Sequence, residues 1–149
     1  MTETAAAREI TITRVYDAPR ELVWQAWTEP ERLAQWWGPP AWTTDPADVR
    51  MEVRPGGVFR VTSVSAEGGS AMTVEGVYRE VDEPVRLVLE EDGEGAWHDG
   101  AVSELTLTDL GDGRTEMAFA TSIRTTEEMA GTARAGLAAS FDRLARHLS

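Results

Sequence analysis

His98 and His147 are the two side chains of this sequence whose ordinary pKa suits proton transfer near neutrality. His98 stands among Gly93, Glu94, Gly95, Asp99 and Gly100, the composition of a polar surface loop, which argues against a general acid or base there. His147 falls where a long helix would end, and reads as a cation facing the negative end of the helix dipole. Neither HxxxH nor HxH spacing occurs, so no metal site is expected. Cysteine and lysine are both absent, which removes thiolate nucleophiles, disulfides, thiolate-built zinc sites and lysine Schiff bases. There is no Gly-x-Ser-x-Gly elbow, Walker loop or dinucleotide fingerprint. Gly56-Gly57 and Gly68-Gly69 open no helix and read as turn glycines rather than phosphate cradles. No catalytic residue, cofactor or metal is therefore assigned. The enzymatic chemistry that remains open is of cyclase or hydrolase type, using carboxylates, Tyr78 or His98 in an enclosed space.

The six tryptophans are a richer set. Trp24 and Trp27 share a helical stretch and read as core. Trp36, Trp37 and Trp42 flank the Gly38-Pro39-Pro40 corner, where large rings either plug one end of a sheet or line an entrance; plugging is the favoured reading. Trp97, in the polar loop, is placed to act as a lid.

The element that must position these groups is the last one. Between Thr125 and Leu148, Met129, Ala133, Leu137, Phe141, Leu144 and Leu148 recur at steps of four and three, the stripe of a helix with one buried face. Thr125 and Glu128 have the spacing of a capping box at its start. A helix of this length spans roughly 33 Å, enough to cross a small domain. Much of its body is small, from Ala130 and Gly131 to Ala138 and Ala139. Such residues either admit a sheet at close range or leave room for something else.

Ahead of that helix, Glu9–Val15 alternates as a strand, with Ile10, Ile12 and Arg14 on one side. Asp17-Ala18-Pro19 opens a helix with Leu22, Val23, Ala26 and Trp27 on its apolar face. Thr28 and Glu31 suggest a second capping box and a short helix over Glu29–Trp37. The period then becomes two. Strands are expected from Trp42 to Val53, then at Val58–Ser65, Ala71–Val81, Val85–Glu90, Val102–Thr108 and Thr115–Ile123. Short turns join them, so the fold class is α+β: a curved antiparallel sheet of about seven strands wrapped around the C-terminal helix, with two short helices after the first strand.

At 149 residues the chain fits a single domain, expected over residues 9–149, with 1–8 a flexible N-terminal segment. The net charge of -12 opposes a polyanionic partner, and nucleic acid is excluded as one. No apolar run reaches about eighteen residues and no leader pattern is visible, so no membrane association and a cytoplasmic location are expected.

Several motifs, in order, carry a family resemblance. Asp17-Ala18-Pro19 with Val23-Trp24, then Thr28-Glu29-Pro30-Glu31, then Trp36-Trp37-Gly38-Pro39, resemble the opening signature of bacterial proteins similar to the C-terminal domain of the activator of the heat-shock protein 90 ATPase. Arg54-Pro55-Gly56-Gly57, Gly76-Val77-Tyr78, Pro84-Val85-Arg86-Leu87 and the closing Gly136, Phe141 and Leu144 fall where that family has its later motifs, so the likeness runs from Ile10 to Leu148. The resemblance implies the helix-grip fold of the START-like (SRPBCC) superfamily, with a cavity between sheet and long helix that different members use to bind lipids, hormones or polyketides, or to catalyse. Eukaryotic activators make their main chaperone contact through an additional N-terminal domain, so ATPase activation is not expected to transfer. One position departs: Leu137 stands where many relatives carry tryptophan, which implies a wider, less aromatic pocket.

The leading expectation is thus a non-enzymatic binder of a small hydrophobic or aromatic molecule. Its cavity candidates are Phe59, Val61, Met72, Val74 and Tyr78 on the sheet and Ala133, Gly136, Leu137 and Phe141 on the helix, with Trp36 and Trp37 closing one end and Trp97 as lid. The alternatives are a protein-interaction module, either chaperone-cofactor-like or the partner of a regulator or of a second copy, and the cyclase or hydrolase type of enzyme.

Overall fold

The computed structural model describes residues 6–38, 40–91 and 101–149; the Trp97 lid and His98 lie outside the described residues. Strand β1 (Ala6–Tyr16) is followed by helices α1 (Arg20–Thr28) and α2 (Pro30–Leu33). Then come β2 (Trp42–Met51), β3 (Val58–Ser65), β4 (Ala71–Asp82), β5 (Arg86–Glu91), β6 (Ala101–Gly111) and β7 (Arg114–Thr125), and finally α3 (Glu127–Leu148). The seven strands form one antiparallel sheet in the order β1-β7-β6-β5-β4-β3-β2. Strands β2 to β7 are neighbours in chain order because short turns join most of them, while β1 crosses to pair with β7 and leaves β1 and β2 at the edges.

Alternation assigns the faces. Ile10, Ile12 and Tyr16 on β1, Met117, Phe119 and Ile123 on β7, and Leu105 and Leu107 on β6 are buried and face the helices. Phe59 and Val61 on β3 and Val74 and Tyr78 on β4 continue that apolar wall. Bulges interrupt the sheet between Thr44 and Val49 on β2, between Tyr78 and Glu80 on β4, and between Asp109 and Gly111 at the end of β6. The opposite face carries cross-strand ion pairs such as Arg60–Glu75 and Arg79–Glu90.

Several boundaries differ from the sequence expectation. Strand β1 begins at Ala6, inside the segment expected to be flexible, because its backbone pairs with β7 up to Ala6 opposite Thr125. The helical cap of α3 is Thr126, whose side chain accepts from the Met129 amide at 3.2 Å, while Thr125 is the buried last residue of β7. The second capping box does not form. The Thr28 hydroxyl donates back to the Trp24 carbonyl, and α2 gives way after Leu33 to three-residue backbone bonds at Gln35 and Trp36. Leu22 is exposed rather than on the buried face of α1, and Trp24 is buried in its place, donating to the Glu83 carboxylate at 3.0 Å.

Candidate functional site

The two halves of α3 are packed differently. Ser140, Phe141 and Leu144 are buried in its C-terminal half. In the N-terminal half Ala130, Ala133 and Leu137 pack against the core yet remain half-exposed. Met129, expected on the buried face, is 48% exposed, since the first turn of the helix lies beyond the packed part of the core. The backbone of α3 makes its closest approach to β1 and α1, along one margin of the sheet. Two hydrogen bonds hold it there: Arg134 donates to the Thr11 carbonyl at 2.9 Å, and the Tyr16 hydroxyl to the Phe141 carbonyl at 3.1 Å.

Rings fill the interior around Phe141. Trp27 lies against Trp36, Phe119 and Phe141 at centroid distances of 4.8, 5.8 and 6.0 Å. Trp36 leads to Trp37 at 5.9 Å, Trp37 to Phe59 at 5.6 Å, and Phe59 to Tyr78 at 6.0 Å. A continuous aromatic path therefore crosses the interior from β7 to β4. Trp36 is fully enclosed, with its indole N–H donating to the Ala26 carbonyl at 3.0 Å. Trp37 is half-buried beside it.

Of the expected cavity residues, Trp36, Phe59, Val61, Val74, Tyr78 and Phe141 are buried. Met72 and Val74 face the helix side with their Cα partners Ser63 and Val61. Met72, Ala133, Gly136 and Leu137 are half-exposed. The sheet candidates thus share one wall, while of the helix candidates Ala133, Gly136 and Leu137 fall in the half of α3 that is incompletely covered and Phe141 falls in the sealed half. Two open grooves, of about 270 and 400 Å³, lie where the end of β5 meets β6, β7 and β1, and where Glu90 and Glu91 meet Val58 and Glu75 to Val77; among the described residues neither is lined by an expected one.

Hydroxyl groups on the same wall were missed by the sequence reading. Ser63 bonds Thr44 at 2.8 Å, and Ser103 bonds Thr121 at 2.9 Å. The signal was available, since Ser63 lies two residues beyond Val61 and so on the same face. The Tyr78 hydroxyl is buried without a hydrogen-bond partner among the described residues, as is the indole N–H of Trp27. Burial pushes the Tyr78 hydroxyl well above the ordinary tyrosine range, so it remains a donor. Arg143, by position a cation at the negative end of the helix dipole, does more: its guanidinium donates to the carbonyls of Trp37, Gly38 and Trp42 at 3.2, 2.8 and 3.3 Å, binding the end of α3 to the corner between α2 and β2.

No group of three or more metal-capable side chains occurs among the described residues, and no helix there is long and apolar enough to cross a membrane. The family model described as Activator of Hsp90 ATPase homolog 1-like protein matches residues 17–149. The chain belongs to that family. This AHSA1-like chain accordingly has the START-like helix-grip fold. It is similar to a Chromobacterium violaceum protein of known structure, with 20% identity and a TM-score of 0.82 over 94% of this chain and 96% of that one. An AHSA1 protein from Silicibacter pomeroyi shows 17% identity and a TM-score of 0.81, covering 95% and 97%. The AHSA1-like protein from Aeromonas hydrophila shows 23% identity and a TM-score of 0.79, covering 94% and 91%. No curated protein matches the chain. AHSA1-like folds support a ligand-binding or interaction domain in general.

Proposed function

We propose that this AHSA1-like protein binds a small hydrophobic or aromatic molecule between the sheet and the N-terminal half of α3. The observation that carries the reading is the unequal packing of α3. Its C-terminal half is sealed by Phe141 and Leu144, whereas Ala133 and Leu137 are only half-buried where they pack against the apolar core. Apolar surface that is concave and reachable from water is what a small-molecule site requires. The small residues Ala130, Ala133 and Gly136 keep that side of the helix low, and Leu137 supplies a short aliphatic chain where a ring would fill the space.

The test is Leu137→Trp. Binding of an apolar naphthalene probe, followed by tryptophan quenching in the parent and by calorimetry in both proteins, should be lost. Stability should stay within about 1–3 kcal/mol of the parent, the usual cost of added core volume. A much larger loss would mean that the interior is already full, and the reading would give way to a surface interaction module. Native mass spectrometry of protein from its own host would report a retained ligand and any second copy or partner together.

A further inference from the structure

The chain gives most of its buried hydroxyls a partner. Tyr16 donates to the Phe141 carbonyl, Thr115 to the Ala18 carbonyl, Ser140 to the Gly136 carbonyl, and Ser103 to Thr121. Tyr78 is 1% exposed, and its hydroxyl has no hydrogen-bond partner among the described residues. Leaving such a group dry and unbonded is unfavourable unless something else satisfies it. The side chain stands on the helix-facing side of β4, on the same face as Val74, beside the bulge between Tyr78 and Glu80 and edge-on to Phe59. Its cross-strand partner Leu89 is buried too, so its described neighbours Phe59 and Leu89 are apolar and uncharged.

We infer that the ligand is a neutral, ring-bearing molecule with an oxygen acceptor, a ketone or similar carbonyl, and that the Tyr78 hydroxyl donates a hydrogen bond to it. This rests on the pocket reading above. The acceptor is neutral because an anion against these residues would be buried without a counter-charge. The ring is implied by the neighbouring aromatics, since Trp37 and Phe59 lie edge to face at 5.6 Å and Phe59 meets the Tyr78 ring at 6.0 Å. Tyr78 is a specificity determinant in this scheme, because a site built to donate a hydrogen bond discriminates against an analogue that cannot accept it.

The experiment uses two probes of one shape, methyl naphthyl ketone and isopropenylnaphthalene, which replaces the carbonyl oxygen by CH2. Both are titrated against the parent and against Tyr78→Phe. The ketone-to-alkene affinity ratio should fall by about tenfold or more in Tyr78→Phe, with alkene affinity unchanged. The probe-free variant should be at least as stable as the parent, because it loses an unbonded buried hydroxyl. An unchanged ratio with both probes bound would overturn the role of Tyr78 and leave the pocket standing. Failure of the parent to bind either probe would overturn the pocket and this inference together. A clear loss of stability in probe-free Tyr78→Phe would show that the hydroxyl is already satisfied within the protein, and would also overturn it.

Discussion

The Tyr16 hydroxyl and the Phe141 carbonyl meet at 3.1 Å, tying the end of the first strand to the middle of the last helix. Phe141 keeps its own place in the helix, so Tyr16→Phe removes one buried hydrogen bond without opening a cavity. The expected loss is about 1 kcal/mol by urea denaturation.

Both tyrosines of the chain are buried, and burial raises both hydroxyls above the ordinary value of 10.0. A raised folded pKa means that the native state holds the proton more tightly than the unfolded chain does. The stabilisation is therefore complete below about pH 10 and is lost as pH rises through that value toward the folded pKa values. Tyrosinate absorbance should appear together with the loss of circular dichroism. A titration of either tyrosine near its ordinary value in folded protein would contradict this burial.

The two halves of α3 should respond differently to truncation. Phe141 touches Trp27, Trp36 and Phe119, and Phe141→Ala should cost about 3–5 kcal/mol. Met129→Ala, at a half-exposed site, should change stability by no more than about 0.5 kcal/mol. Equal losses would mean that the helix is sealed along its whole length.

Arg143 closes the corner between α2 and β2 by hydrogen bonds to backbone carbonyls, and burial lowers its pKa without removing its charge at neutral pH. Arg143→Leu should cost about 2 kcal/mol and hasten amide exchange at Trp37 and Trp42. Arg143→Lys should recover only part of the loss, because an ammonium cannot fork across several carbonyls.

How much of this was legible in the sequence differs by level. Element order and sheet alternation could be read because the period-two runs from Val58 to Tyr78 have one apolar side, and that fixes their register. The exposure of Met129 could not be read, because a helical stripe shows which residues share a face but not how far along the helix its neighbours extend. The cap at Thr126 instead of Thr125 has a similar cause. Two adjacent threonines can both cap, and the choice depends on where β7 stops pairing with β1. At the candidate site, the inward side chains of β3 and β4 follow from alternation. The unpartnered Tyr78 hydroxyl and the reach of Arg143 depend on contacts between elements far apart in sequence, which no local pattern encodes.

The last prediction concerns what holds Tyr78 in place. The turn at Arg54-Pro55-Gly56-Gly57 was read from its glycines, and Gly56 does have a positive φ of 81°. Its neighbour Gly57 matters for a different reason: a Cβ there would run into the Glu52 carbonyl, a backbone atom that cannot swing aside. The same turn bonds both backbone groups of Tyr78, with the Gly56 amide on the Tyr78 carbonyl at 2.7 Å and the Tyr78 amide on the Gly57 carbonyl at 3.0 Å. Gly57→Ala should therefore open the turn and loosen Tyr78, at a cost of about 1–3 kcal/mol for the forced displacement. Gly69→Ala is the control, since a Cβ there meets nothing within 4 Å and the substitution should be neutral or stabilise by up to about 1 kcal/mol. Urea midpoints of the two variants decide the matter: if Gly57→Ala behaves like Gly69→Ala, the turn accommodates a side chain and does not fix the position of Tyr78.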